Sequence, residues 1–337
     1  MPIFKVYYDI NYNYMAANLD SLDKKILCYI EHNGRASLSE IARRLKRGRD
    51  TIEYRYQKLV QTEVIQGFRA VLNPAAFGLT LYKSYIRLSN DRKRITAFIE
   101  KAKKHPFVFW VVEVSGEFDL IVSIGAESPF EFHQIQESLF SCIADLIHSL
   151  RVFPVSTFWD FPKKYLGEST QNAFEIGGKP KKILIDKIDY IILKNLSIDA
   201  RIPISRLSQI LKLTDPAIAT RIQRLEKQKV ILGYNAELNL LQLGLTNFKT
   251  QLYTRAFDQK IQKRFFDYAK FHPSISCYVE QLGGARQEIE IHVESYNQYL
   301  LVINDIRENF PDYIRNISTI IMGKEHFHWM LVGGGDN

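Results

Sequence analysis

The sequence predicts an α+β protein in which two helix-turn-helix units alternate with two βαββαβ units. Three observations predict it. Between Ser37 and Leu59 the apolar residues fall at Leu38, Ile41 and Leu45 and then at Ile52, Tyr56 and Leu59, two amphipathic helices broken at Lys46-Arg47-Gly48. LDSLDKKIL from Leu19 returns as IDKIDYIIL from Ile185, an offset of 166 residues that also carries Arg35 to Arg201, Ile52 to Ile218, Arg55 to Arg221, Leu59 to Leu225 and Gly78 to Gly244. After each helical unit, strand-period and helix-period stretches alternate.

Residues 1–18 read as an N-terminal extension. A first helix follows, with Leu22, Ile26, Leu27 and Ile30 on one face, Asp20 or Ser21 as its cap and Gly34 as its end. Gly48 permits the tight turn between the next two helices, and a connection this short forces a steep crossing that holds the second helix outward. Its outward residues are Arg49, Asp50, Glu53, Tyr54, Gln57 and Lys58. Val64 to Pro74 alternates like a short β-hairpin, the place of a wing, so residues 19–78 form a winged helix-turn-helix. Over 79–161 the order is strand Leu81–Leu88, helix Arg92–His105, strands Val108–Glu113 and Phe118–Ala126, helix Phe130–Cys142 and a last strand from Ile147 to Trp159. That order is ferredoxin-like, with both helices on one face of an antiparallel sheet. The other face, with Tyr85, Phe109, Val111 and Ile121, would be bare in isolation, which implies pairing with another copy, within the chain or in a homo-oligomer. Residues 162–183, with GGKPKK near their end, read as a linker. The winged helix then repeats over 184–244 and the ferredoxin-like unit over 245–332, where the offset becomes 167 and His105-Pro106 matches His272-Pro273.

With 337 residues and 46% hydrophobic content the chain is long enough for several globular units. Its net charge of +8 favours a polyanionic partner, and the charge is concentrated: Arg35 to Leu59 holds eight basic against three acidic residues, and Arg201 to Leu225 five against one. Double-stranded DNA is the expected partner, met by Arg43, Arg44, Lys46, Arg47, Arg49, Asp50, Glu53, Tyr54 and Lys58 in the first unit and by Lys212, Thr214, Asp215, Thr220 and Arg224 in the second. The two outward faces differ, so a chain using both prefers an asymmetric site. Arg55 and Arg221 lie beside the core face and suit either a structural tie or a phosphate contact. Cys28, Cys142 and Cys277 form no CxxC pair, no apolar run is long enough to span a membrane, and no secretory signal is visible, so a cytoplasmic setting is expected. His326 and His328 could share one side of a strand but lack a third ligand, and Glu113, Glu117 and Asp119 have no nucleophile beside them, so neither cofactor, metal nor catalysis is expected.

The motifs LDxxDxxIL (19–27), GRxSxxEIA (34–42), TIxxR (51–55), VIxGF (64–68), NPxxxG (73–78) and SGEFD (115–119) resemble those of the Lrp/AsnC family of prokaryotic transcription regulators, nearly twice over. The resemblance implies a winged helix-turn-helix joined to a ligand-sensing ferredoxin-like RAM domain, pairing through the sheets, and sequence-specific DNA binding modulated by a small molecule, often an amino acid. It also implies an effector site at Ser115, Gly116, Glu117 and Asp119, residues that by themselves are ordinary turn formers. There are departures. Gly48 stands where Ser or Thr normally opens the recognition helix, whereas the second copy has Thr214, suited to cap it. Arg286 replaces the acidic position of Asp119, which makes the first loop the better effector candidate. Two alternatives come from other classes: a fused tetrapyrrole enzyme like the siroheme decarboxylases, which share the fold although no His-x-Tyr-x-Arg arrangement is present here, and an assembly protein whose winged helices contact subunits.

Overall fold

The computed structural model describes residues 17–168, 171–255 and 257–328, with side chains as far as His326, so the extension at 1–16 lies outside the described residues. Asp20 caps α1 (Ser21–Glu31), accepting from the Leu22 and Asp23 amides while Asp23 reaches back to the Asp20 amide. Ser37 caps α2 (Leu38–Leu45), and α3 (Arg49–Gln61) follows a turn in which Lys46 adopts φ +53. Ile26, Leu27, Ile30, Ile41, Ile52 and Leu59 interlock as the core of this first head. A second head repeats it with α6 (Lys187–Ile198), α7 (Ile204–Leu211) and α8 (Asp215–Lys227) around Ile192, Leu193, Leu207, Ile218 and Leu225.

The expected wing hairpin is not formed. Val64 to Pro74 contains one strand, β1 (Ile65–Leu72), which pairs antiparallel with its counterpart in the second head, β7 (Ile231–Leu238), with Phe68 opposite Ala236 and Ala70 opposite Tyr234. Alternation marks a half-buried strand but does not name its partner. A pseudo-two-fold runs through this ribbon, since the Gly34 amide donates to Tyr234 O and the Ala200 amide to Phe68 O, both at 2.8 Å. Gly34 lies beyond the end of α1 and serves this approach, because a Cβ there would sit 3.0 Å from Tyr234 O.

The first βαββαβ unit comprises β2 (Thr80–Leu88), α4 (Arg92–Lys103), β3 (Val108–Gly116), β4 (Leu120–Ala126), α5 (Pro129–Phe140) and β5 (Ile147–Asp160). The strand β6 (Phe174–Gly177) follows it, and the second unit comprises β8 (Thr246–Thr254), α9 (Gln259–Phe271), β9 (Ile275–Gln281), β10 (Gln287–Val293), α10 (Tyr296–Asn309) and β11 (Ile314–His328). The last strand of each unit crosses to the other sheet: β5 pairs with β9 and β11 with β3. Because β5 also pairs with β2, the strands β2-β4-β3-β11-β8-β10-β9-β5 close into an antiparallel barrel with the helices outside. Closure leaves these strands no free edge.

Tyr85, Phe109 and Ile121, expected on a bare face, are buried between the two sheets. Val111 is not on that face: a register shift between Val108 and Trp110 turns it onto the helix side with Val108 and Leu120. Residues 162–183 are no free linker. Leu166 enters the first head's core, Phe174 packs where a Cβ on Gly233 would collide with its ring, β6 pairs with β5, and the Lys181 and Ile183 amides donate to Ala75 O and Ala76 O.

Charge sits inside the barrel. Lys83 and Lys249, equivalent by the repeat, both reach Glu288, at 2.6 and 2.9 Å, and Lys249 also reaches Glu290 at 2.6 Å. Glu288 is fully buried and also accepts from the Tyr85 hydroxyl. Burial pushes the Glu288 carboxyl up, but the two ammonium groups and the Lys83 and Tyr85 hydrogen bonds outweigh it and hold the carboxyl down at about 2. A carboxyl held below its unfolded value stabilises the fold above that value and loses this contribution as pH falls from 4.5 toward about 2. Glu288→Gln is expected to lower the unfolding free energy by roughly 3–5 kcal/mol at neutral pH, because it leaves buried ammonium charge short of a partner. Chemical denaturation should show this loss, together with a flatter acid limb than the parent between pH 4.5 and 2.

Candidate nucleic-acid interface and sensor pocket

Ile52 and Leu59 anchor α3, which turns the opposite side outward. Arg43, Arg44, Lys46, Arg47, Arg49, Asp50, Glu53, Gln57 and Lys58 are exposed, and Tyr54 is 69% exposed. Among the described residues, none of the cations from Arg43 to Arg49 is drawn into an ion pair, so this end of the head presents free positive charge beside the first amides of α3. In the second head Lys212 takes φ +54, matching Lys46, and Lys212, Thr214, Asp215, Thr220 and Arg224 are exposed. Thr214 occupies the capping position of α8 but its side chain makes no capping hydrogen bond, so its advantage over Gly48 is smaller than expected.

Several cations counted toward the phosphate-facing surface serve the fold instead. Arg55 pairs with Asp20 at 2.5 Å and Asp23 at 3.3 Å, and Arg221 with Asp186 at 2.7 Å and Asp189 at 2.9 Å, which resolves both arginines as ties between the first and third helices. These ties explain why the aspartates and arginines recur at the same offset. Arg224 also reaches back to Asp189, which engages part of its guanidinium. Arg35 and Arg201 brace the seam between the heads. Arg35 donates to Ala200 O at 2.9 Å, while Arg201 donates to Gly34 O, Ala36 O and the Tyr56 hydroxyl and lies 3.8 Å from the Phe68 ring centroid. Summing charge along a segment cannot separate a cation facing solvent from one facing the other copy.

The four expected effector residues do not act as one set. Ser115, Gly116 and Glu117 are exposed, with Gly116 at φ +125 and its counterpart Gly283 at the same angle. Asp119 ties its turn to the end of β2, accepting from the Leu88 amide at 2.8 Å and from Arg87 at 3.3 Å. Glu117 faces a pocket of about 890 Å³ at the barrel mouth, between the loops of the two copies, lined also by Arg151, Phe153, Tyr253, Gly284 and Ser318. Glu117 pairs with Arg151 at 2.5 Å and accepts from Ser318 Oγ at 3.1 Å. Glu117 was expected here and Arg151 was not; the repeat offers one signal for the missed residues, because Glu117 and Arg151 map to Gly284 and Ser318, so all four positions belong to the same loop and last strand of their copies. Arg286, at the Asp119 position, lies over the Phe257 ring with its guanidinium 3.8 Å from the centroid.

A second polar group, unmarked by any motif, joins the heads to the barrel. Asp160, at the end of β5, pairs with Lys163 at 2.5 Å, accepts from Asn235 of β7 at 2.9 Å and lies 3.7 Å from His32 Nε2, which is 3.3 Å from Glu31. Glu31, His32 and Asp160 have the composition of a metal-ligand set, but the Lys163 ammonium already lies against both carboxylates. Phe174 stacks on His32 at 4.3 Å, and His32 Nδ1 meets Asn172 O at 3.2 Å. Burial alone would lower the His32 pKa, but the charges of Glu31 and Asp160 and their hydrogen bonds to the ring prevail and raise it to about 9. Next to it, burial and the Lys163 charge keep His292 neutral, pushed down to about 4, with Tyr165 and Ser276 against its two ring nitrogens. His326 pairs with Glu113 at 2.7 Å, and the side chain of His328 lies outside the described residues.

Comparison with known proteins gives two family matches: an AsnC-type helix-turn-helix domain over residues 185–226, and a winged helix-turn-helix DNA-binding domain over 19–66. The HTH-type transcriptional regulator FL11 of Pyrococcus horikoshii is 29% identical over 119 residues, covering 35% of this chain and 78% of that protein. An uncharacterized HTH-type transcriptional regulator of Pyrococcus furiosus is 32% identical over 123 residues, covering 36% of this chain and 82% of its own. Over nearly the full length, the crystal structure of the siroheme decarboxylase NirDL matches with a TM-score of 0.61 at 11% identity, covering 93% of this chain and 94% of that one, a likeness of fold.

His32 gains a proton-dependent partner set on folding, so its stabilisation is complete below the unfolded value of 6.5 and lost as pH rises through about 9. Urea titrations of the parent are expected to show stability falling by a few kcal/mol across that interval, and of His32→Gln to show a smaller fall.

Proposed function

Since the chain belongs to the Lrp/AsnC family of transcription regulators and carries the family's DNA-binding unit twice, we propose that it works as an internal pseudo-dimer that sets both recognition helices on one duplex. The observation that carries this reading is the pseudo-two-fold between the heads, with both outward helix faces exposed and the cations from Arg43 to Arg49 free of ion pairs among the described residues. Two helices held in inverted orientation suit successive major-groove half-sites. Phosphate contact falls to Arg43, Arg44, Lys46 and Arg47 in the first head and Lys212 in the second, and base contact to the outward side chains of α3 and α8.

The sensing part of the proposal places a small polar effector, of the size and charge of an amino acid, in the pocket between Glu117 and Arg151. A carboxylate and a guanidinium already paired at 2.5 Å offer one partner to an ammonium and one to a carboxylate, and Phe153 and Tyr253 offer apolar surface. A ligand that separates this pair would bias the last strands of the two units and so the heads they carry. Glu117, rather than Asp119, is the effector-loop residue in this scheme, because the Asp119 carboxylate is engaged by Leu88 and Arg87 of β2. The siroheme-decarboxylase reading has the shared fold behind it.

Affinity for duplex DNA is expected to fall steeply with salt, and Arg44→Ala with Arg47→Ala to reduce the log–log salt slope by about 1.8 if both arginines neutralise phosphates. Fluorescence anisotropy across a salt series measures this. An unchanged slope would remove these arginines from the interface, and a Soret band on adding siroheme would favour the enzyme reading instead.

A further inference from the structure

The heads turn the same helix positions outward, yet the outward chemistry at those positions has diverged while the inward chemistry is kept but for Tyr56, which becomes Ile222. The ribbon register and the reciprocal Gly34–Tyr234 and Ala200–Phe68 hydrogen bonds relate α3 to α8 by the pseudo-two-fold, so residues 166 apart occupy like places. Inward, Ile52 and Ile218, Leu59 and Leu225, and the tying Arg55 and Arg221 are the same. Outward, Arg49 becomes Asp215, Glu53 becomes Ala219 and Tyr54 becomes Thr220, while Gln57 is kept as Gln223. Packing does not account for the difference, because Arg49, Glu53 and Tyr54 are exposed, as are Asp215 and Thr220, and Ala219 is half-buried.

We infer that the two recognition helices select unlike base pairs, α3 a half-site with G·C pairs and α8 a half-site rich in A·T pairs, so that the preferred duplex is a composite and not an inverted repeat. The inference rests on the DNA-binding reading above and adds to it the base class of each half-site. A guanidinium such as Arg49 matches the O6 and N7 acceptors of guanine, and a carboxylate such as Glu53 accepts from the N4 amino group of cytosine. At the same places α8 offers Asp215, which cannot donate to guanine and accepts from one cytosine at most, and the methyl groups of Ala219 and Thr220. The Thr220 hydroxyl donates to Pro216 O at 2.8 Å, so the proton it would use on a base is already committed within the helix. Methyl groups in the major groove favour the C5 methyl of thymine, and the shared Gln57 and Gln223 suit adenine in both halves.

The test uses the full chain. Random duplexes are selected on it, and three synthetic duplexes are then compared by anisotropy at fixed salt: the composite, an inverted repeat of the G·C half and an inverted repeat of the A·T half. The composite is expected to bind about tenfold or more tightly than either repeat. Arg49→Asp, Glu53→Ala and Tyr54→Thr together should move the preference to the A·T repeat. Should that variant fold poorly, Asp215→Arg, Ala219→Glu and Thr220→Tyr together should move it to the G·C repeat. Equal, salt-dependent affinity for all three duplexes, or selection of a palindrome, overturns the inference while the DNA-binding reading stands. Absence of duplex binding even at low salt overturns both.

Discussion

Two lysines that the duplication brought face to face, Lys83 and Lys249, share carboxylates that the second copy alone supplies, and the rest of the structure depends on this arrangement. Glu288 and Glu290 correspond to Ile121 and Ser123 in the first copy. A barrel built from two first copies would bury two ammonium groups without these carboxylates, and one built from two second copies would bury four carboxylates around two ammonium groups. Both carry an unbalanced buried charge that costs far more than the pair itself contributes. The first unit against the second is the arrangement that balances, with Lys83 and Lys249 on Glu288 and Glu290 at 2.6 to 2.9 Å. Electrostatics inside the barrel thus chooses the partner, and the exchange of last strands makes the choice hard to undo.

What the barrel holds together, it also orients. The strand β5 starts near the pocket beside Glu117, to which it contributes Arg151 and Phe153, and ends at Asp160, which pairs with Lys163, accepts from Asn235 of the second head's strand and lies beside His32 of the first. Both heads and the pocket therefore meet on one continuous element. Among the described residues the group around Asp160 is not repeated on the other side, where Ser197 and Ile198 stand at the positions of Glu31 and His32, so the attachment of the heads is asymmetric even though the heads themselves are paired by a pseudo-two-fold. An effector acting on β5 would have a physical route to both recognition helices.

Much of this was legible in the residues. The helix-turn-helix follows from Leu38, Ile41, Leu45, Ile52 and Leu59, because a helix that buries one face must repeat its apolar residues at that period, and the duplication follows from an offset that holds through Asp20, Asp23, Arg55 and Leu59. The errors share a cause. The strand after α3 alternates as a hairpin arm would, yet its partner lies 166 residues away. Val111 has the right spacing from Phe109 to share its face, but the bulge before Trp110 reverses it. Arg35 and Arg201 look like two more phosphate contacts until the other head is present to receive them. Glu31, His32, Asp160, Lys163 and Asn235 belong to no motif because they come from three separate segments, and only the docking of heads on barrel assembles them. Local periodicity reports local structure; apart from the bulge in β3, what was missed lies between copies or between heads and barrel.

The central claim is that one chain, folded on itself, carries both readers of a single duplex. Native mass spectrometry of the full chain with a short duplex holding one bound site tests it most directly. One chain per duplex is expected as the smallest complex with full affinity. A smallest full-affinity complex of two chains on one such duplex, each lending a single head, would contradict it.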